Sequence, residues 1–426
     1  MKVKLKKISF EQLKAIKPKK QGKPIKPNLL FRTLLKLVCL PDMLLTKCKV
    51  NKIGMEKLGK NEPCLFLMNH SSFLDLKIAM SALYPRPVNI VTTSDAFIGK
   101  NWLMKQLGCI SVHKFMANSR LIRDMLYALR ELKSSVLMYP EAGYSIDGTT
   151  TVLPESLGKC VKMLGVPVVM ITAYGAYTHQ PLYNYLKKRK TPVWADMEYV
   201  LSPEQISQMS ADEINAVIEK CFSFDNFRWQ KENEIVIDER DRADGLNKIL
   251  YKCPNCHAEA QTVGAGTSLT CNSCGKEYEL TELGEIKAKQ GETEISHIPA
   301  WYRWQRKCVR KELEQGEYKM DMPVDIRVMV DTYSIYDIGE GRLVHDENGF
   351  VLTSTDGELI FKQSPTASYT VNADFYWYQI ADTVCIGDHN VQYYCFPKRK
   401  GDYVVKMRLA AEELYKMLKS KSKQTV

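Results

Sequence analysis

The chain reads as an α/β protein: a sheet domain flanked by helices, followed by a small cysteine-rich ribbon and a mostly-β domain closed by a C-terminal helix. Three observations predict this order. From residue 62 to about 201, apolar strand-like runs alternate with helix-period stretches, the pattern of a sheet with helical crossovers. Two Cys-x2-Cys pairs then follow, Cys253 with Cys256 and Cys271 with Cys274, fourteen residues apart. Beyond Ile298 come short β-like runs separated by turns such as Glu347-Asn348-Gly349 and Thr355-Asp356-Gly357. A length of 426 residues with 45% hydrophobic content is enough for two or three cores.

In chain order, residues 1–27 are a basic tail rich in Lys and Pro, expected to lack regular structure. Residues 28–245 form the sheet domain, opened by an amphipathic helix. Asn28 is placed to cap that helix and Pro41 to end it. Arg32, Thr33 and Lys36 fall on one face, with Leu30, Phe31, Leu34, Leu35 and Val38 on the other. Strands are expected at 64–68, 88–93, 135–139, 166–172 and 197–201. Helices are expected near 73–83, 119–133 and 154–164, from Ser202 onward, and at 211–221. A charged tract at 238–244 marks the domain edge.

Residues 246–295 hold the four paired cysteines, and two such knuckles at this separation read as a zinc ribbon. Cys253, Cys256, Cys271 and Cys274 would surround one structural zinc ion, and Gly275 eases the second turn. His257 is an alternative ligand, but four thiolates satisfy the ion and leave no open position for catalysis. Residues 296–426 begin with a helix carrying Trp301, Arg303, Trp304 and Arg306, continue with β-like runs such as 324–330, 350–353, 358–361, 367–371, 377–380, 383–386 and 391–396, and end in a helix over 403–418. This element order is similar in outline to pleckstrin-homology-like domains, which by itself implies no function.

The formal net charge is +11, but it is unevenly spread. Residues 1–60 hold sixteen Lys and one Arg against Glu11, Asp42 and Glu56, so the remainder is slightly acidic. A basic front end calls for an anionic partner: a membrane surface, a phosphorylated substrate or nucleic acid. No apolar stretch reaches the length of about 18 residues needed to span a bilayer. The helix after Asn28 suits the bilayer interface instead, with lysines contributing about 1 kcal/mol each near anionic lipid. The thirteen cysteines form no regular framework beyond the ribbon, and no secretory leader pattern is evident. A cytoplasmic location, peripheral on the membrane, is the expectation.

The chemistry concentrates at Asn69-His70-Ser71-Ser72-Phe73-Leu74-Asp75, directly after the apolar run at 64–68. In an open α/β sheet, groups just past a strand's C-terminal end are the ones presented to substrate. Asp75 can accept a hydrogen bond from one imidazole nitrogen of His70 and leave the other as a base. Ser71 and Ser72 read as caps of the following helix.

Downstream blocks follow in a fixed order: Gly108-Cys109-Ile110-Ser111-Val112-His113-Lys114, then Tyr139-Pro140-Glu141-Ala142-Gly143-Tyr144-Ser145, then Val166-Pro167-Val168. With the His-x4-Asp block, this series resembles the glycerolipid acyltransferases, best known for the lysophosphatidic acid acyltransferases. The resemblance covers roughly residues 30–220. It implies an acyl-CoA or acyl-carrier protein donor, a lysophospholipid acceptor, catalytic roles for His70 and Asp75, and substrate-binding roles for Lys114, Glu141, Tyr144 and Ser145. Two departures stand out: Lys114 and Tyr144 occupy positions where the family has arginine. The absence of a Gly-x-Ser-x-Gly elbow agrees with direct transfer and no acyl-enzyme. Donors for an oxyanion are expected from amides near Gly108 or Gly143. Two other classes fit parts of the chain: a zinc-ribbon nucleic-acid-associated protein, and a non-catalytic lipid-binding scaffold. The lysines lie far in sequence from a ribbon that is not itself basic, so nucleic acid is not the expected partner.

Overall fold

The computed structural model describes residues 5–19, 21–115, 119–398 and 403–424. Two compact units emerge. One comprises Gln21–Leu182 and Leu186–Ile237; the other gathers the described N-terminal residues, Tyr183–Tyr185 and the chain from Asp238 onward.

The first unit is built on seven strands: β1 (Lys49–Ile53), β2 (Leu65–Met68), β3 (Val88–Thr93), β4 (Cys109–Val112), β5 (Ser135–Met138), β6 (Val168–Tyr174) and β7 (Trp194–Leu201). Their order across the sheet is β1-β7-β6-β2-β5-β3-β4. The five strands from β6 to β4 are mutually parallel, while β7 runs antiparallel to β6. Both β2 and β5 are buried along their whole length, which is why Leu65-Phe66-Leu67-Met68 and Ser135-Val136-Leu137-Met138 show no polar alternation.

Helices cover both faces. On one, α2 (Leu74–Leu83) packs Ile78, Ala79 and Leu83 beneath Phe66 and Met68. On the other, α3 (Ser119–Arg130), α4 (Leu157–Leu164) and α5 (Ala211–Phe222) enclose Leu65 and Leu67. Gly158 lets α4 approach α5: a Cβ there would meet the carbonyl oxygen of Ala211 at 2.0 Å.

The helix α1 (Leu29–Leu45) starts as its sequence predicts, with the Asn28 side chain accepting from the Leu30 amide at 2.8 Å. It does not end at Pro41, which lies inside it. The carbonyl that Pro41 cannot pair belongs to Leu37, an exposed residue, so the missing bond is inexpensive. Beyond the proline the helix is fastened by Asp42, which pairs with Lys77 and with Lys188 at 2.6 Å.

The second unit contains a four-stranded antiparallel ribbon, Thr262–Ala265, Ser268–Cys271, Glu277–Leu280 and Ile286–Ala288. It also holds a larger sheet whose longest strands are Met320–Met329 and Ile335–Asp346. The helix Ile298–Gln315 joins the two: Trp301 donates to the Lys252 carbonyl at 2.9 Å, and Gln305 bonds both Ile249 and Lys252. The basic tail is not uniformly irregular. Leu5–Lys7 forms a strand parallel to Ile335–Asp337, and Phe10–Lys14 forms a helix with a Ser9 capping box. Residues 1–4 and 20 of the tail lie outside the described residues.

What leads the chain into the site is Asn69. Its side chain donates to the Ala173 carbonyl at 3.0 Å and accepts from the Ala173 amide at 2.8 Å, prolonging the β2–β6 pairing by one residue. The side chain is buried, so Asn69→Ala should orphan both Ala173 groups at about 1–3 kcal/mol each. The expected outcome is a lowered urea midpoint for the sheet unit. An unchanged midpoint would mean that Ala173 is satisfied by other means.

Candidate active site

His70 follows β2 and Glu141 follows β5, and the two strands are neighbours. The loops leaving them therefore meet at the C-terminal edge of the sheet. Asp75 sits in the first turn of α2 and is fully buried. Its Oδ2 lies 3.1 Å from His70 Nδ1 and accepts from the amides of Ser71 and Ser72 at 2.6 and 2.9 Å. A carboxylate only accepts, so this contact places the proton on Nδ1 and the lone pair on Nε2. The His70 side chain keeps 20% exposure, enough to reach a substrate. The N-cap of α2 is Phe73, not Ser71 or Ser72; the Ser72 hydroxyl, one residue earlier, accepts from the Leu74 amide at 3.2 Å.

The loop after β5 grips His70 through its backbone. Glu141 Oε1 accepts from the His70 amide at 3.0 Å, and the Ser145 amide donates to the His70 carbonyl at 2.7 Å. The second carboxylate oxygen of Glu141 accepts from the Thr151 amide at 2.9 Å. Glu141 is 1% exposed, and burial pushes it up to about 7, against the pull of the two amide bonds. The Ser145 hydroxyl donates to the Thr149 carbonyl at 2.6 Å. Glu141 thus spends both carboxylate oxygens on the His70 and Thr151 amides, and Ser145 its hydroxyl on the Thr149 carbonyl. Ala142, with φ of 53°, makes the sharp turn that allows this.

Aromatic rings flank the imidazole. Tyr139 stacks on it with centroids 4.1 Å apart at 28°, and Tyr144 lies at 4.5 Å and 56°. Tyr139 was not singled out by sequence reasoning; the signal available was an aromatic residue ending the strand before the Pro-Glu pair. Lys114 follows β4, three strands from β2, or about 14 Å of sheet width. Gly108 precedes β4 at the opposite end of the sheet, and its amide donates to Lys105 at 2.8 Å, so it supplies no oxyanion donor. Gly143 lies in the loop beside His70.

In the second unit, the Sγ atoms of Cys253, Cys256, Cys271 and Cys274 all lie within 4.8 Å of one another. The Cys253–Cys274 and Cys256–Cys271 pairs are 3.8 and 3.7 Å apart. A tetrahedral ion with bonds of about 2.3 Å to sulfur needs an edge of about 3.8 Å, so the four thiols fit a structural metal. His257 is not in the cluster; its ring packs against Trp304 at 5.6 Å.

Residues 49–173 match the family model described as Acyltransferase, so this segment carries the sequence signature of an acyltransferase domain. A chloroplastic 1-acyl-sn-glycerol-3-phosphate acyltransferase of Brassica napus, BAT2, is 28% identical over 128 residues, covering 29% of this chain. The match spans 36% of that relative's length. Among solved structures, the 1-acyl-sn-glycerophosphate (LPA) acyltransferase PlsC from Thermotoga maritima is 18% identical, with a TM-score of 0.36. That match covers 45% of this chain and 76% of PlsC.

Proposed function

We propose that the sheet unit transfers a fatty acyl group from an acyl thioester, carried by coenzyme A or acyl-carrier protein, to the hydroxyl of a lysophospholipid. The observation that carries this reading is the buried Asp75–His70 pair at the mouth of β2, inside the segment that matches the acyltransferase family model. His70 Nε2 takes the acceptor's hydroxyl proton as that oxygen bonds to the thioester carbonyl carbon. The tetrahedral adduct collapses by breaking the C–S bond, and the imidazolium returns its proton to the departing thiolate. Asp75 steadies the imidazolium and fixes its tautomer. Lysophosphatidic acid is the default acceptor, by the resemblance and by the name of the Brassica relative. With Tyr144 against the base and Lys114 at the sheet's edge, two points of bidentate phosphate recognition are lost. The acceptor range should therefore extend to lysophospholipids without a free phosphomonoester.

A peripheral membrane setting goes with this reading. On α1 the polar residues turn inward: Arg32 bonds the Pro85 carbonyl, Thr33 meets the Tyr84 hydroxyl at 3.3 Å, and Asp42 holds two lysines. Leu30, Leu34, Leu37, Val38, Leu44 and Leu45 are left exposed. Among the described residues no helix is long and apolar enough to cross a membrane. An outward apolar stripe on a fastened helix suits insertion into one leaflet. In the ribbon unit, the four thiolates are proposed to hold zinc in a structural role.

Three measurements test these points. With purified protein, acyl donor and lysophosphatidic acid, His70→Ala should lower kcat/KM by about 10²–10⁴-fold with an unchanged fold. Asp75→Asn should cause a smaller but severe loss; near-normal turnover in His70→Ala would end the assignment. In liposome flotation, Leu34→Asp combined with Val38→Asp should release the protein from anionic vesicles. This pair is a cleaner test than truncation, which would also remove the strand Leu5–Lys7. Undiminished flotation would show that another surface binds. Elemental analysis should find one zinc per chain, and chelation should unfold the ribbon without touching the dyad; protein purified metal-free would refute this.

A further inference from the structure

We infer that Glu141 is a positioning residue: its carboxylate, spanning the amides of His70 and Thr151, holds the backbone of the base in register instead of binding the acceptor. This deepens the proposed acyl transfer and rests on it. Three observations converge on the role. Both carboxylate oxygens are taken by backbone amides, at 3.0 and 2.9 Å, and the side chain is almost wholly buried. The residue sits on a strand-end loop fixed to β2 by register, so its reach to His70 does not depend on substrate. The complementary bond from the Ser145 amide to the His70 carbonyl closes the grip from the other side of the same residue. The imidazole is thereby constrained twice, through its Nδ1 by Asp75 and through its main chain by Glu141.

The position is held against a cost. A buried carboxylate whose folded value rises from 4.5 to about 7 favours folding in its protonated form. That advantage is present below pH 4.5 and lost as pH rises to about 7. Yet only the ionised form accepts from both amides without presenting an O–H to one of them. Among charged groups, Asp75 raises Glu141 further, while the His70 imidazole, whose amide Glu141 holds, is flanked by the rings of Tyr139 and Tyr144. A carboxyl group buried in a position that costs stability near neutral pH is what a functional constraint leaves behind.

The test is Glu141→Gln in the full chain, with steady-state kinetics on lysophosphatidic acid and carbethoxylation of His70 by diethyl pyrocarbonate, read by mass spectrometry. Positioning predicts kcat lowered about tenfold or more, acceptor KM within about threefold, and faster modification of His70 as its backbone loosens. The pH profile of kcat/KM should also lose the ionisation at about 7 that Glu141 contributes. Thermal unfolding should show the variant gaining on wild type as pH rises from 5 to 8. An acceptor KM raised with kcat preserved would overturn the inference in favour of acceptor binding. Wild-type modification rates in the variant would overturn it outright. If wild type shows no turnover with any donor, the acyl-transfer reading fails, and the modification arm still decides the positioning role. Should Glu141→Gln not fold, Glu141→Asp serves: it keeps the charge but is too short to span both amides, and an undiminished kcat there would refute the inference.

Discussion

The adjacency of β2 and β5 is the constraint on which the site depends. Neighbouring parallel strands place their exit loops within hydrogen-bonding reach, so a residue leaving one can be fixed by the other. Here the loop at 139–145 takes hold of His70 at its amide and its carbonyl, while the ring of Tyr139 covers one side of the imidazole. Parallel register is set by the buried apolar runs of the two strands. Any slip would turn Leu65 and Leu67 out of one core cluster and Phe66 and Met68 out of the other. Core packing and catalytic geometry are thus specified by the same residues.

Asp75 plays a second part in this scheme. Its Oδ2 gathers the Ser71 amide, the Ser72 amide and His70 Nδ1, so the turn between strand and helix closes around one oxygen. The carboxylate also lies in the first turn of α2, where the helix dipole favours negative charge. The three bonds to Oδ2 are made before any substrate arrives, while Oδ1 is buried without a partner. The base needs little reorganisation when it becomes an imidazolium, which is the physical content of electrostatic preorganisation.

How much of this was legible in the sequence varies with the kind of signal. The strands β2, β3 and β5 could be read because continuous apolar runs between turns have few alternatives, and the dyad because His-x4-Asp follows one of them. The spacing of the four cysteines foretold their cluster. The strand Ile335–Asp346 was missed because Gly339, Gly341 and four charged residues break its alternation, and its pairing on both sides outweighs that weak local pattern. The helix α1 was cut short at Pro41, a local rule that loses to the anchoring of Asp42 by two lysines. The motif puts Glu141 and Ser145 on the segment after β5, but no sequence shows which way a side chain turns. Glu141 turns to the His70 and Thr151 amides and Ser145 to the Thr149 carbonyl, beside an Ala142 in a left-handed conformation that the spelling of the motif does not announce.

The proposed lipid acceptor gives the inverted helix α1 its rationale. An ordinary surface helix buries its apolar side; this one buries Cys39 and Asp42 and leaves its leucines outside. The ion pair that fastens it reaches Lys77, two residues beyond Asp75 on the same turn of α2. Phe73, between His70 and Asp75 in sequence, is 54% exposed and lies against the Lys77 ammonium. The apolar surface and the base are therefore attached to one short helix, and their separation is fixed by covalent geometry and a buried carboxylate. Were the helix free to swing, a lipid hydroxyl delivered from a bilayer would reach the base at varying depth. On the proposed reading, a helix fastened in this way would tie docking depth to the height of His70 through Asp42.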